Sequence, residues 1–170
     1  LIGGLGNDVL KGGYGDDTYL YSKGDGDDVI DDAEYGFYGD GTDTIKLVDI
    51  VPSEVTLSRA LSLTTPYSSD LLISIAGGGS IRVKDYLRTD NSKIERIEFA
   101  DGTVWSGSQL DPGTSIYQGT PKADLIQDSD DSHTWYGNAG DDAIYGLGGD
   151  DTLIGGLGND VLKGGYGDDT

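Results

Sequence analysis

From Gly119 onward the chain is an unbroken series of nine-residue frames: GTPKADLIQ, DSDDSHTWY, GNAGDDAIY, GLGGDDTLI, GGLGNDVLK and a truncated GGYGDDT. Position six is Asp124, His133, Asp142, Asp151, Asp160 and Asp169, and position eight is Ile126, Trp135, Ile144, Leu153 and Leu162. The same pattern opens the chain, as GGLGNDVLK from Gly3 and GGYGDDTYL from Gly12. After an insertion of Tyr21 and Ser22 follows KGDGDDVID from Lys23, and after a further gap YGDGTDTIK from Tyr38. Position six there is Asp8, Asp17, Asp28 and Asp43. Each frame has two parts. Positions one to six form a turn, because glycine permits positive φ and lets backbone or an ion approach closely. Positions seven to nine form a short strand whose middle residue points inward, since side chains alternate along a strand. The expected class is all-β, with two frames to a coil, so that each Asp meets the one two frames later. Asp124, Asp142 and Asp160 then stack on one edge, and Asp151 and Asp169 on the other.

Composition sharpens this reading. The 170 residues carry a formal charge of −20, with no cysteine. Strong acidity repels nucleic acid and anionic membrane alike. No apolar run approaches the ~18 residues of a membrane span, and no signal-peptide pattern is present. Without cysteine there is no disulfide framework, thiolate metal site or cysteine nucleophile. The charge is uneven. Residues 47–118 hold nine acids and six bases, whereas the two flanks hold 22 acids, five bases and 23 of the 29 glycines. The expected organisation is therefore 1–46, the end of one roll; 47–118, a β-rich, mostly antiparallel region without the repeat; and 119–170, the start of the next roll.

Nine frames with Asp at position six, eight of them reaching an apolar residue at position eight, make the chain resemble the repeats-in-toxin, or haemolysin-type, calcium-binding nonapeptide family. The resemblance implies a parallel β-roll. A longer repeat is superimposed on the short one: residues 1–18 are identical to 153–170. Neighbouring frames differ freely, so local similarity does not explain this identity. It predicts that the chain is one period of a tandem array, whose neighbouring units complete its rolls.

Carboxylates stacked one strand spacing apart, ~4.8 Å, repel by roughly 1–4 kcal/mol per pair. A hard divalent cation reverses that term. Calcium accepts six to eight oxygens with tolerant geometry, whereas magnesium demands a tighter octahedron. Zinc would want His or Cys, and the chain has a single His. Calcium is expected, about five to eight ions in all. The family resemblance implies the same, and carries the ligand role to Asp8, Asp17, Asp28, Asp43, Asp124, Asp142, Asp151, Asp160 and Asp169. It further implies that the turn backbone lines each site at position four (Gly6, Gly15, Gly26, Gly140, Gly149, Gly158, Gly167) and position five (Asn7, Asp16, Asp27, Asp141, Asp150, Asn159, Asp168). Two departures stand out. The frame DSDDSHTWY lacks the turn glycines and has His133 where the carboxylate belongs, so its site is expected to be empty or altered, with Asp130 or Asp131 as substitutes. Sites at cut ends, such as those of Asp8 and Asp169, have partners on one side only, unless end-to-end stacking with another molecule completes them.

The middle region reads as short strands. Leu71, Ile73 and Ile75 alternate with polar or outward positions, then Gly77–Gly78–Gly79 turns into Ile81 and Val83, a hairpin signal. Ile97 and Phe99 lead through Asp101–Gly102 to Val104 and Trp105. IERIEFADGTVW resembles the domain found beside haemolysin-type repeats, which implies association with β-rolls. Asp85 with Glu95 or Glu98 forms no convincing catalytic pair, because charges alternating with Arg82, Lys84 and Arg96 read as cross-strand salt pairs. The chain is expected not to be an enzyme. The leading reading is a calcium-binding structural module of a large secreted or surface bacterial protein, adhesin- or toxin-like, that folds outside the cell. The alternative is a ligand- or glycan-binding module of an adhesin or polysaccharide-active enzyme, using Trp105 or exposed tyrosines.

Overall fold

A computed structural model describes residues 1–32, 41–61, 69–86, 94–111, 116–128 and 132–170. All regular structure among them is strand, apart from short 3-10 turns at Pro52–Glu54 and Gly107–Leu110. The chain forms two compact units, Leu1–Leu57 with Tyr67–Asp111, and Ser58–Pro66 with Pro112–Thr170.

In the first unit, β1 (Val9–Leu10), β2 (Thr18–Tyr21), β3 (Asp27–Ile30) and β4 (Thr44–Leu47) come from the four N-terminal frames. Pairing is parallel and skips one strand: Val9 meets Val29, and Thr18 meets Thr44. That is the expected parallel β-roll, with partners 20 and 26 residues apart. The ladders then continue into the middle region. β3 pairs in parallel with β7 (Ser80–Val83), and β4 in parallel with β8 (Arg96–Glu98). The expected hairpins are present as well: β6 (Ser69–Ile75) runs antiparallel to β7, and β8 runs antiparallel to β9 (Val104–Ser106). The middle region is thus antiparallel within itself and parallel where it joins the roll. One core results, in which Tyr19, Ile30 and Ile45 from position eight pack with Ile73, Ile81, Ile97 and Phe99. Asp70 is fully buried, and Arg82 Nη1 donates to its Oδ2 at 3.0 Å.

In the second unit, β11 (Leu125–Gln127), β12 (Thr134–Ala139), β13 (Ala143–Gly148), β14 (Thr152–Leu157) and β15 (Val161–Tyr166) form two parallel ladders. Every partner lies eighteen residues on: Trp135 with Leu153, and Ile144 with Ile126 and Leu162. β10 (Ile116–Gln118) holds the same register one coil before β12, although its sequence shows no glycine frame. The end of β5 (Val55–Leu61) pairs with β10, and Tyr117 stacks on Trp135 at 4.2 Å. The core is small: Ile126, Trp135, Ile144 and Leu153 are buried, with Leu61 and Tyr117 against them.

Candidate metal centres

Strands of two to six residues place one turn at each edge of every coil, and the frame places position six at the end of that turn. The carboxylates therefore stack, and a hydrogen bond ties each to its neighbour. In the second unit Asp124 N–H donates to Asp142 Oδ1 (2.8 Å), and Asp142 N–H to Asp160 Oδ1 (2.9 Å). On the other edge His133 N–H donates to Asp151 Oδ1 (2.8 Å), and Asp151 N–H to Asp169 Oδ1 (3.0 Å). In the first unit Asp8 N–H donates to Asp28 Oδ1 (3.0 Å), Asp17 N–H to Asp43 Oδ1 (2.9 Å), and Asp43 N–H to Glu95 Oε2 (2.7 Å). Glu95 thus takes the place of a position-six aspartate, 52 residues after Asp43. On the other edge the acidic ladder stops at Ile81, which faces Asp28.

Only one oxygen of each accepting carboxylate is used in this way. Oδ2 of Asp8, Asp17, Asp142 and Asp151 is buried without a hydrogen-bond partner among the described residues. A Cβ on Gly137 would strike both Asp142 Oδ2 and the carbonyl oxygen of Gly155. One on Gly146 would strike Asp151 Oδ2, with the Gly164 carbonyl at 2.5 Å. Position-one glycines therefore leave a hollow into which a carboxylate oxygen and the next coil's carbonyl converge. A buried charged oxygen costs several kcal/mol if left unpaired, and an all-oxygen hollow suits a hard cation. The residues present fit calcium.

Electrostatics agree. Burial pushes the carboxyls of Asp28, Asp142 and Asp151 above their ordinary range, helped by neighbouring acids and opposed by the N–H bond each accepts. Burial, then Asp32 and Glu95 beside it, pushes Asp43 up to about 7. Burial and Asp32 also raise the Tyr19 hydroxyl. These are shifts of acidic groups brought together in buried surroundings.

Position four makes the tight approach possible: Gly26 takes φ +122°, and a Cβ there would collide with the Gly6 carbonyl. Position five adds a second, outer ladder that backbone reasoning did not foresee. Asn7 Oδ1 accepts from Asp27 N–H (3.0 Å), Asp141 Oδ1 from Asn159 N–H (2.8 Å) and Asp150 Oδ1 from Asp168 N–H (2.9 Å). Position one, absent from the sequence expectations, lines the hollow; the glycine found there in seven of the ten frames was the available signal. Glu95 and Asp32 fall outside any frame, and no sequence signal marks them.

The altered frame has an internal solution. Asp128 stands at position one, in place of glycine, and its Oδ2 lies 2.9 Å from His133 Nδ1 and accepts from Trp135 Nε1 at 2.6 Å. Asp130 and Asp131, the expected substitutes, lie outside the described residues, as do Tyr35 and Tyr38. Asp124 differs too: Thr120 donates from its N–H (2.6 Å) and its hydroxyl (2.9 Å) to the carboxylate. The tryptophans are engaged in packing: Trp135 is buried, and Trp105 meets Phe99 edge-on at 4.6 Å.

Residues 1–26 and 136–170 match the RTX calcium-binding nonapeptide repeat, and 70–109 match the haemolysin-type calcium-binding-protein-related domain. A plasmid haemolysin of Escherichia coli is 30% identical over 139 residues, 78% of this chain and 13% of the haemolysin, so the chain spans about an eighth of that relative. The crystal structure of the extracellular lipase LipA from Serratia marcescens aligns over 96% of this chain and 27% of the lipase, at 22% identity and a TM-score of 0.31. With stacked position-six carboxylates on a parallel β-roll and a match on both flanks, the chain belongs to the RTX, haemolysin-type family of calcium-binding nonapeptide repeat proteins.

Proposed function

We propose that this calcium-binding repeat module is a non-enzymatic structural unit of a large secreted or surface bacterial protein, adhesin- or toxin-like, and that it folds when it meets extracellular calcium. The observation that carries the reading is the buried, partnerless carboxylate oxygen repeated along both rolls. Ions bound only by the folded state stabilise it by RT ln(1 + [Ca]/Kd) per site, so low cytosolic calcium leaves the chain unfolded and millimolar calcium folds it.

The duplication supports a tandem arrangement. Because 153–170 repeats 1–18, Asp160 corresponds to Asp8 and Asp169 to Asp17. Joining the observed ladders gives one edge running Asp124, Asp142, Asp160, Asp28, and another running His133, Asp151, Asp169, Asp43, Glu95. One continuous roll per period then contains six intervals between stacked carboxylates, one calcium ion each. Circular dichroism of the purified chain in millimolar calcium and in excess chelator tests the switch. A strong gain of β-signal on adding calcium is expected, and equal spectra in both conditions reject it.

A further inference from the structure

We propose that Asp128, His133 and Asp151 form a site for a zinc-class divalent metal, distinct in its donor set from the oxygen-lined positions along the rest of the second unit's roll. Elsewhere in that roll the turn brings an aspartate at position six to a glycine at position one. In this frame both residues change together: position six becomes an imidazole and position one a carboxylate, and the two meet at 2.9 Å in the former hollow. Asp151, one coil on and 1% exposed, closes the group. One ligand atom from each of the three side chains lies within 4.8 Å of the others.

The chemistry favours a borderline metal over calcium. One nitrogen and two carboxylates are a zinc-type donor set, whereas calcium takes oxygen alone. Zinc–ligand distances of about 2.0–2.2 Å put neighbouring ligand atoms about 3.3 Å apart in a tetrahedron, a small expansion of the 2.9 Å contact. On binding, Nδ1 of His133 gives up its proton, to solvent from the imidazolium or to Nε2 from the neutral ring, and the metal takes its place. Both carboxylates are already oriented: Trp135 Nε1–H holds Asp128, and His133 N–H holds Asp151 Oδ1. Such supporting hydrogen bonds sharpen metal sites. Asp151 completes the group from one coil on, and its buried carboxylate is shared between this site and the calcium interval it forms with Asp169.

The test uses tag-free full chain in saturating calcium, titrated with Co²⁺ and followed by visible absorption, then by Zn²⁺ displacement. The expected result is one Co²⁺ per chain with the d–d bands of a nitrogen-containing site, displaced by zinc. His133→Asp restores the frame's usual carboxylate and should fold with calcium, while losing at least ~10-fold in Co²⁺ and Zn²⁺ affinity. Asp128→Asn, which keeps an acceptor for Trp135, should lose a similar factor. Two results overturn the proposal. One is a folded wild type that takes up no Co²⁺, which makes the pair an ion bridge standing in for a metal. The other is Co²⁺ binding of unchanged strength in both variants. Calcium-induced folding is read separately by circular dichroism, so its failure is distinct from either result.

Discussion

The stretch LIGGLGNDVLKGGYGDDT occurs once in each unit, and the two copies differ in burial. In the first unit Leu10 packs against the core, beneath a coil that carries Ile30; in the second its equivalent, Leu162, is 42% exposed. Identical residues thus reach different environments because their neighbours differ, as expected of a solenoid whose repeats are stable only through adjacent repeats. The first unit is also far richer in apolar packing: position-eight residues are joined there by β6–β9, whereas the second unit buries four position-eight side chains. At about 1.5–3 kcal/mol for each buried side chain, against about 1–2 kcal/mol of backbone entropy per ordered residue, four is a thin core. The second unit must lean harder on its ions.

The sharpest probe of that contrast is a cavity in each core. Ile144→Ala and Ile45→Ala each remove a fully buried side chain, at a cost of about 2–5 kcal/mol. In the second unit this should abolish folding at millimolar calcium, and in the first only lower the melting temperature. Hydrogen exchange resolved by residue reads the two units separately, and equal losses would break the comparison.

A smaller effect is expected in the turns. Gly146→Ala places a methyl group against Asp151 Oδ2 and the Gly164 carbonyl, an overpacking of roughly 1–3 kcal/mol. The calcium midpoint of the second unit should rise while the first unit's stays fixed. A matched exposed change, Gly77→Ala at the β6–β7 turn, meets nothing within 4 Å and should leave both midpoints in place apart from its own backbone strain. A calcium midpoint unmoved by Gly146→Ala would sink the glycine-hollow reading.

The smallest expected effect is that of pH without calcium. Asp28, Asp43, Asp142 and Asp151 all sit above the ordinary 3.8, Asp43 at about 7. The folded form holds these protons more tightly than the unfolded chain, so their contribution is complete below pH ~4 and disappears as pH rises through the folded values. Calcium-free protein should gain β-structure on mild acidification, the first unit beginning near pH 7 through Asp43. With saturating calcium the trend should vanish, because the ion competes for the same oxygens. A calcium-free protein that loses structure steadily from pH 7 to 5 would contradict it.

Much of the roll was readable beforehand because its determinants are local. The nine-residue period fixes which residue turns, which enters the core and which carboxylate follows which; the eighteen-residue spacing in β12–β14 is that period doubled. Glu95 was not readable, since 52 residues separate it from the N–H it accepts, and only the pairing of β8 on β4 brings them together. The parallel ladders of the middle region escaped for the same reason: alternation marks β7 and β8 as strands and hairpins but says nothing of a second neighbour. Asp128 was hidden in a different way. The loss of carboxylate from position six was visible, but its reappearance at position one is meaningful only once the turn folds the two together.

Each position-six carboxylate ladder has a direction: the N–H belongs to the earlier coil and the accepting oxygen to the later. A roll therefore has chemically distinct ends, as a polar filament does. At the start an aspartate lacks an earlier N–H, and Thr120 supplies one to Asp124, together with its hydroxyl. At the finish an aspartate N–H needs an oxygen beyond the last frame, and Glu95 supplies it to Asp43. The start is written in an atypical first frame and the stop outside any frame, so the interior is free to lengthen without altering either. It can do so only by pairs of frames. A single added frame would carry every later aspartate to the opposite edge and leave Glu95 terminating the wrong row.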